Sequence, residues 1–207
     1  MLYPQYQSSN TRYSPCHYVS SAVHPDGQIF VTAANFPYKN TYAFSVEDGW
    51  AQQGKWKLPF SGRGHFDPEL NAWVGICGYY RGFGHLCACD LVLPKTCRDH
   101  WKLGKEKLFS GVPGERHLGA KLLYMGGGSR ICLVECVYIE HKGFDDDRLY
   151  EKLLCLRYEY LLRVTTFSLK YDDNRDLTVG NSRRVRYYTA PESATRSTLK
   201  DPVAFWM

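Results

Sequence analysis

The chain has no run approaching the roughly 18 consecutive apolar residues of a membrane-spanning helix, which excludes a helical anchor within these 207 residues. Its first fifteen residues, MLYPQYQSSNTRYSP, have neither a basic start nor an apolar centre, so they do not read as a secretory signal. No Asn-x-Ser/Thr site occurs, and none of the eight cysteines, at 16, 77, 87, 89, 97, 132, 136 and 155, forms a Cys-x-x-Cys pair. Such cysteines read as buried, reduced thiols, and the expected location is intracellular, in cytoplasm or nucleus. Also missing are a Gly-x-Ser-x-Gly elbow, a His-Glu-x-x-His pair and a dinucleotide fingerprint, so no catalytic residue and no cofactor is expected. Charge of one sign is scarce too. Lys and Arg number 26 against 21 acidic residues, a net +5 that describes a solvated surface rather than a nucleic-acid binder.

Aromatics, by contrast, are plentiful at 15%, with 16 tyrosines, a bias common in all-β domains. The stretch from Trp56 to Leu91 organises the chain. Asp67-Pro68-Glu69-Leu70-Asn71 holds turn residues and leads at once into the apolar run Ala72 to Cys77. A glycine-rich connection, Gly78 to Gly84, then leads into Leu86 to Leu91, the pattern of a β-hairpin. Trp73 and Ile76 fall on opposite faces of one strand, so both faces of that strand must be covered.

This unit recurs. Pro25 in His24-Pro25-Asp26-Gly27 aligns with Pro68 at a shift of 43, and Phe44-Ser45-Val46 aligns with Cys89-Asp90-Leu91 at a shift of 45. A third copy is read in Ile131 to Val134, introduced by Gly126-Gly127-Gly128-Ser129, with Phe167-Ser168-Leu169 as its second strand. Hairpins at this period are spaced like β-propeller blades. The expected fold is therefore mainly β, a partial or open propeller-like array of antiparallel hairpins. An ordinary β-sandwich with regular hairpins is the other reading.

Along the chain, residues 1–17 read as an irregular lead-in, 18–190 as the β-repeat domain and 191–207 as a C-terminal loop and apolar tail. Leu149, Leu153, Leu156 and Tyr160 recur at spacings of 4, 3 and 4, which predicts a helix near 145–160, although Tyr150, Tyr158 and Tyr160 also suit a long strand. Trp50, Trp56 and Phe60 are expected to pack between neighbouring sheets. Arg183 to Tyr188 interleaves bases with aromatics and reads as a charged edge strand, so no nucleic acid is expected.

Ligand chemistry is sparse. His85, Cys87, Cys89, Cys97 and His100 are metal-ligand types, but three alternate strand residues span about 13 Å, far beyond the bonds of about 2.0–2.3 Å around one zinc ion. No metal site is expected. The glycine run at 126–128 lacks a following helix and a Gly-Lys-Ser/Thr ending, so it reads as a turn, not a phosphate cradle. The remaining ligand-contact candidates are Arg63, His65, Tyr79, Tyr80 and Arg81, in loops of the central unit.

The runs Trp56 to Phe60, Phe66 to Gly75 and Leu86 to Leu91, with Leu162 to Tyr171 and Ala204 to Met207, resemble an expanded family of uncharacterised cereal-grass proteins. Those proteins carry a plant domain of unknown function akin to F-box-associated and kelch-like repeats. The resemblance covers roughly residues 20–207. It implies a propeller-like β-fold, an interaction role and no transferable catalytic residue; the chain resembles a shortened member without an F-box. The recurring hairpins and the five loop residues lead to two expected functions. One is a non-enzymatic β-repeat module that binds an unknown protein partner, with self-association through open strand edges. The other is an enzyme or small-ligand receptor with a pocket built from the five candidates.

Overall fold

The computed structural model describes residues 17–35, 38–90, 101–140, 158–191, 194 and 196–204. Eight strands come first: β1 (His17–Val23), β2 (Ile29–Asn35), β3 (Tyr38–Ser45), β4 (Gly49–Gly54), β5 (Gly62–Asp67), β6 (Ala72–Ile76), β7 (His85–Asp90) and β8 (Trp101–Lys107). Then follow β9 (Glu115–Tyr124), β10 (Arg130–Glu140), β11 (Tyr158–Tyr171), β12 (Leu177–Val179), β13 (Arg184–Thr189) and the short helix α1 (Arg196–Lys200). The chain divides into two compact units, 1–103 and 104–207. The fold is mainly β, built from antiparallel hairpins in two sheets, and neither sheet closes into a barrel among the described residues.

The first sheet runs β4-β3-β2-β1-β5-β6-β7-β8, which is two four-strand meanders placed back to back. Their first strands, β1 and β5, pair in parallel with Ser20 opposite Gly62 and Ala22 opposite Gly64. The offset between these partners is 62 − 20 = 42 residues, close to the period read from the sequence. Equivalent strands of like repeats are expected to run side by side in this way. Four antiparallel strands in sequential order are also the make-up of a propeller blade. Here the two copies share hydrogen bonds along β1 and β5 instead of only stacking.

Pro25 and Pro68 occupy like surroundings. Each follows a side chain that accepts from the amide two residues on: His24 Nδ1 from Asp26 at 3.3 Å, and Asp67 Oδ1 from Glu69 at 3.0 Å. The two turns then reach their strands through one left-handed residue each, Gly27 at φ 93° and Asn71 at φ 48°. Trp73 joins the copies. Its Nε1 donates to the Val23 carbonyl at 3.1 Å, and its ring lies 5.5 Å from Phe30, the residue 43 positions earlier. All five residues of β6 are buried, as the opposite placement of Trp73 and Ile76 requires.

Between the meanders, Trp56 to Phe60 crosses over the sheet. Buried Thr32 and Thr41 face each other on β2 and β3, their hydroxyls 3.0 Å apart. Thr41 Oγ1 donates to the Trp56 carbonyl at 2.8 Å, while Thr32 Oγ1 accepts from the Leu58 amide at 3.0 Å. Phe60 then lays its ring on glycines. A Cβ at Gly64 or at Gly75 would lie 2.5 Å from ring carbons of Phe60, so only glycine fits at either place. Leu58 and Phe60 are buried with Trp73, Cys77, Cys87 and Cys89 in one core cluster. Trp50 departs from expectation: it is 42% exposed, its ring centroid 5.2 Å from that of Phe44, because β4 is the edge of its sheet.

In the second unit, β9, β10 and β11 form a long meander around the expected turn, with Met125 N donating to the Arg130 carbonyl and Gly126 and Gly128 at positive φ. The fourth position is filled twice. β12 pairs with residues 169–171 of β11, and β13 pairs with residues 161–166. Between them Gly180 packs against Ser168 and donates its amide to the Ser168 carbonyl at 2.8 Å. Along β11 the buried residues Arg163, Thr165, Phe167 and Leu169 alternate, while all six residues of β13 are exposed. Of the segment expected as helix near 145–160, residues 145–157 lie outside the described residues, and Tyr158 to Tyr160 open strand β11. The tail read as loop contains α1, which sits on β9 where Gly119 leaves room for the Lys200 carbonyl.

Gly75→Ala is expected to cost about 1–3 kcal/mol, because Phe60 is fully enclosed and cannot withdraw. Gly127→Ala, where nothing lies within 4 Å, should stay within about 0.5 kcal/mol of the parent. Urea unfolding of the two variants measures the difference.

Candidate functional site

The β6–β7 connection is the most elaborated surface of the first unit. Cys77 closes β6, its amide donating to the His85 carbonyl at 2.9 Å, and Gly78 donates to the Pro59 carbonyl at 2.7 Å. Tyr80–Gly82 then forms a single 3-10 turn, with Gly82 N bonded to the Tyr79 carbonyl at 3.0 Å. Tyr79 is half-buried and stacks on Trp101, centroids 5.0 Å apart and planes 5° from parallel. Lys57, from the crossing segment, places its Nζ 3.5 Å from the centre of the same ring, a cation–π contact. Gly82 packs against the Cys77 sulfur and Leu103, where no side chain would fit. The turn is thus held from below by three groups while its top faces water: Tyr80 is 97% exposed and Phe83 53%.

Beneath it lie two thiols. The β6–β7 register, Gly75 opposite Cys87 and Ile76 opposite Leu86, puts Cys77 and Cys87 on one face as diagonal neighbours. Cys77 is drawn down to about 6, chiefly by its side-chain hydrogen-bonding interaction with Cys87, then by the Tyr79 segment and the charge of Lys57, against the opposing effect of burial. Cys87, fully enclosed, is pushed well up by burial first and by its neighbour second. The pair therefore gives up one proton readily and holds the other. Burial lowers Lys57, and repulsion from Lys39 adds to this, while the two sulfurs pull the other way.

Of the five residues expected at a ligand site, Tyr79, Tyr80 and Arg81 come together in this connection. Arg63 and His65 stand two residues apart on β5, the first exposed and the second half-buried opposite Val74. Lys57, Cys77, Cys87 and Trp101 were not expected there. Strand register could have found the cysteines, since fixing Ile76 against Leu86 determines their shared face. Of the metal-type residues, Cys97 and His100 lie outside the described residues, and among the described residues no group of three or more metal-ligand side chains converges.

A second polar cluster lies in the other unit. Glu135, on β10 and fully buried, accepts from Arg163 Nη1 at 2.9 Å and from the Ser110 amide at 2.8 Å through Oε2, and lies 2.9 Å from His117 Nδ1 through Oε1. Arg163 also donates to the Leu108 carbonyl at 2.8 Å, and the His117 ring stacks on Phe109 at 4.1 Å. Every partner belongs to the segment 108–110 or to strands β9 and β11, so the cluster acts as a clasp on that segment. Arg163→Met is expected to destabilise the fold by about 3–5 kcal/mol, because it strands a buried carboxylate. Adding Glu135→Leu should return part of that loss in chemical denaturation, since the uncompensated charge is then gone.

A family model described as "Protein of unknown function (DUF1668)" covers residues 3–188. No curated protein matches the chain, and no solved structure does.

Proposed function

The chain belongs to the DUF1668 family, and from that premise we propose that it is a non-enzymatic β-repeat module that docks a partner protein through the Tyr79–Gly84 turn. The observation that carries this reading is the exposure of Tyr80 and Phe83 on a turn whose base is fixed by Trp101, Lys57 and Gly82. Exposed aromatics flanking an arginine, here Arg81, have the composition of binding hot spots. A pre-shaped turn loses little freedom on binding. The partner that fits is a protein surface with an apolar recess beside a carboxylate.

On the Trp56–Phe60, Phe66–Gly75 and Leu86–Leu91 runs we further read the chain as a cereal-grass relative of F-box-associated and kelch-like repeats. The five described free cysteines, all buried, favour a reducing compartment, cytoplasm or nucleus. The outer strand β13, with every residue exposed, supports self-association by edge pairing. Sedimentation over a dilution series tests this, and a strict monomer throughout would rule it out.

The docking role is tested by affinity capture with the parent chain and with Tyr80→Ser/Phe83→Ser. Proteins retained by the parent are expected to drop at least about tenfold on the variant, the equivalent of about 1.4 kcal/mol. An unchanged set of captured proteins, on a variant that melts like the parent, would exclude this turn as the docking surface.

A further inference from the structure

Strand β13 uses only half of its backbone. It runs antiparallel to β11 from Arg184 opposite Thr166 to Thr189 opposite Leu161, and the next residue, Ala190, donates its amide to the Tyr160 carbonyl at 2.9 Å. Bonded pairs alternate along an antiparallel ladder. Arg184, Arg186 and Tyr188 therefore turn their amides and carbonyls towards β11, whereas Val185, Tyr187 and Thr189 aim theirs outward. Among the described residues β11 is the one strand that pairs with β13. An edge of this kind is a template for a further strand. Side chains decide which strand it suits. Alternation puts Arg184 and Arg186 on one face of β13 and Val185 and Tyr187 on the other, the latter two 40% and 42% exposed. Both arginines, and Arg183 just before the strand, are exposed and have no acidic partner among the described residues. Glu115 is taken from the other face, by the Tyr187 hydroxyl at 3.3 Å and by Ser110 Oγ.

We propose that the outer edge of β13 accepts an extended acidic peptide as an added strand, with carboxylates opposite Arg184 and Arg186 and apolar side chains opposite Val185 and Tyr187. The peptide's backbone pairs with Val185, Tyr187 and Thr189, and its sequence alternates acidic with apolar residues. Opposite charges directly across a strand pair stabilise it, and like charges do the reverse. A second copy of β13 at this edge would satisfy the backbone but crowd the arginines of both chains into one seam. An acidic strand satisfies backbone and charge together. The proposal thus goes beyond self-association at this edge, with which the peptide competes, and it stands independently of docking at the Tyr79–Gly84 turn.

The probe is a labelled synthetic peptide alternating glutamate and valine, titrated into the full chain and followed by fluorescence anisotropy. Its lysine–valine counterpart should bind at least about tenfold more weakly, and Arg184→Glu/Arg186→Glu should reverse the order of the two peptides. N-methylation at alternate residues, which removes the amides that must donate to β13, should abolish binding of the acidic peptide. Amide hydrogen exchange at Val185, Tyr187 and Thr189 should slow at least about tenfold when the peptide is bound. Tyr80→Ser/Phe83→Ser should bind it as the parent does. If the charge-reversed variant does not fold, Arg184→Ala/Arg186→Ala takes its place, with an expected loss of about fivefold. Four outcomes would each overturn the proposal: equal affinity for the two peptides, undiminished binding of the N-methylated one, tighter binding of single-stranded oligothymidylate, or a dimer paired through β13 that the acidic peptide does not dissociate.

Discussion

The first unit depends on how Trp56 to Phe60 is held across its sheet. Five residues with no ladder of their own must satisfy their backbone groups elsewhere, and Thr32 and Thr41 do this from within the sheet. That arrangement delivers Leu58 and Phe60 into the core, and it works only because Gly64 and Gly75 leave a flat bed for the Phe60 ring. The same segment supplies Lys57 to the Tyr79 ring and the Pro59 carbonyl to Gly78 and Cys87. One crossing thus serves both the core cluster and the candidate site, which packs against that cluster.

Repetition explains the remaining order. The turns at Pro25 and Pro68 are closed by equivalent acceptors, their strands succeed each other in the same sequence, and β1 and β5 meet in parallel at an offset of 42. Where the copies differ, the difference is local. The β6–β7 connection is longer than a tight turn and contains the 3-10 segment, whereas its counterpart near 36–37 lies outside the described residues. In the second unit the fourth strand is broken at Gly180, so the meander keeps its count while losing a continuous edge.

Much of this was legible because it is local. Turn residues at Pro25, Pro68 and Gly126, the apolar runs after them and the period between copies all lie within short windows of sequence. The two-sided burial of β6 followed from Trp73 and Ile76 alone. What escaped notice is set by register or by distant contacts. Cys77 and Cys87 share a face only once the hairpin pairing is known. Glu135 and Arg163 are 28 residues apart, and neither looks buried by type. Trp50 looked like a core residue because its size suggests burial, but its strand lies at an edge. The five-residue helix α1 has no sequence pattern of its own; a gap above Gly119 decides where it rests.

The interruption at Gly180 has a kinetic consequence. Because β12 and β13 grip β11 by separate stretches, the outer edge need not detach as one piece. Backbone amides of Arg184 to Thr189 can exchange their hydrogens with solvent by peeling of that half alone, while Leu177, 1% exposed, keeps its neighbours shielded.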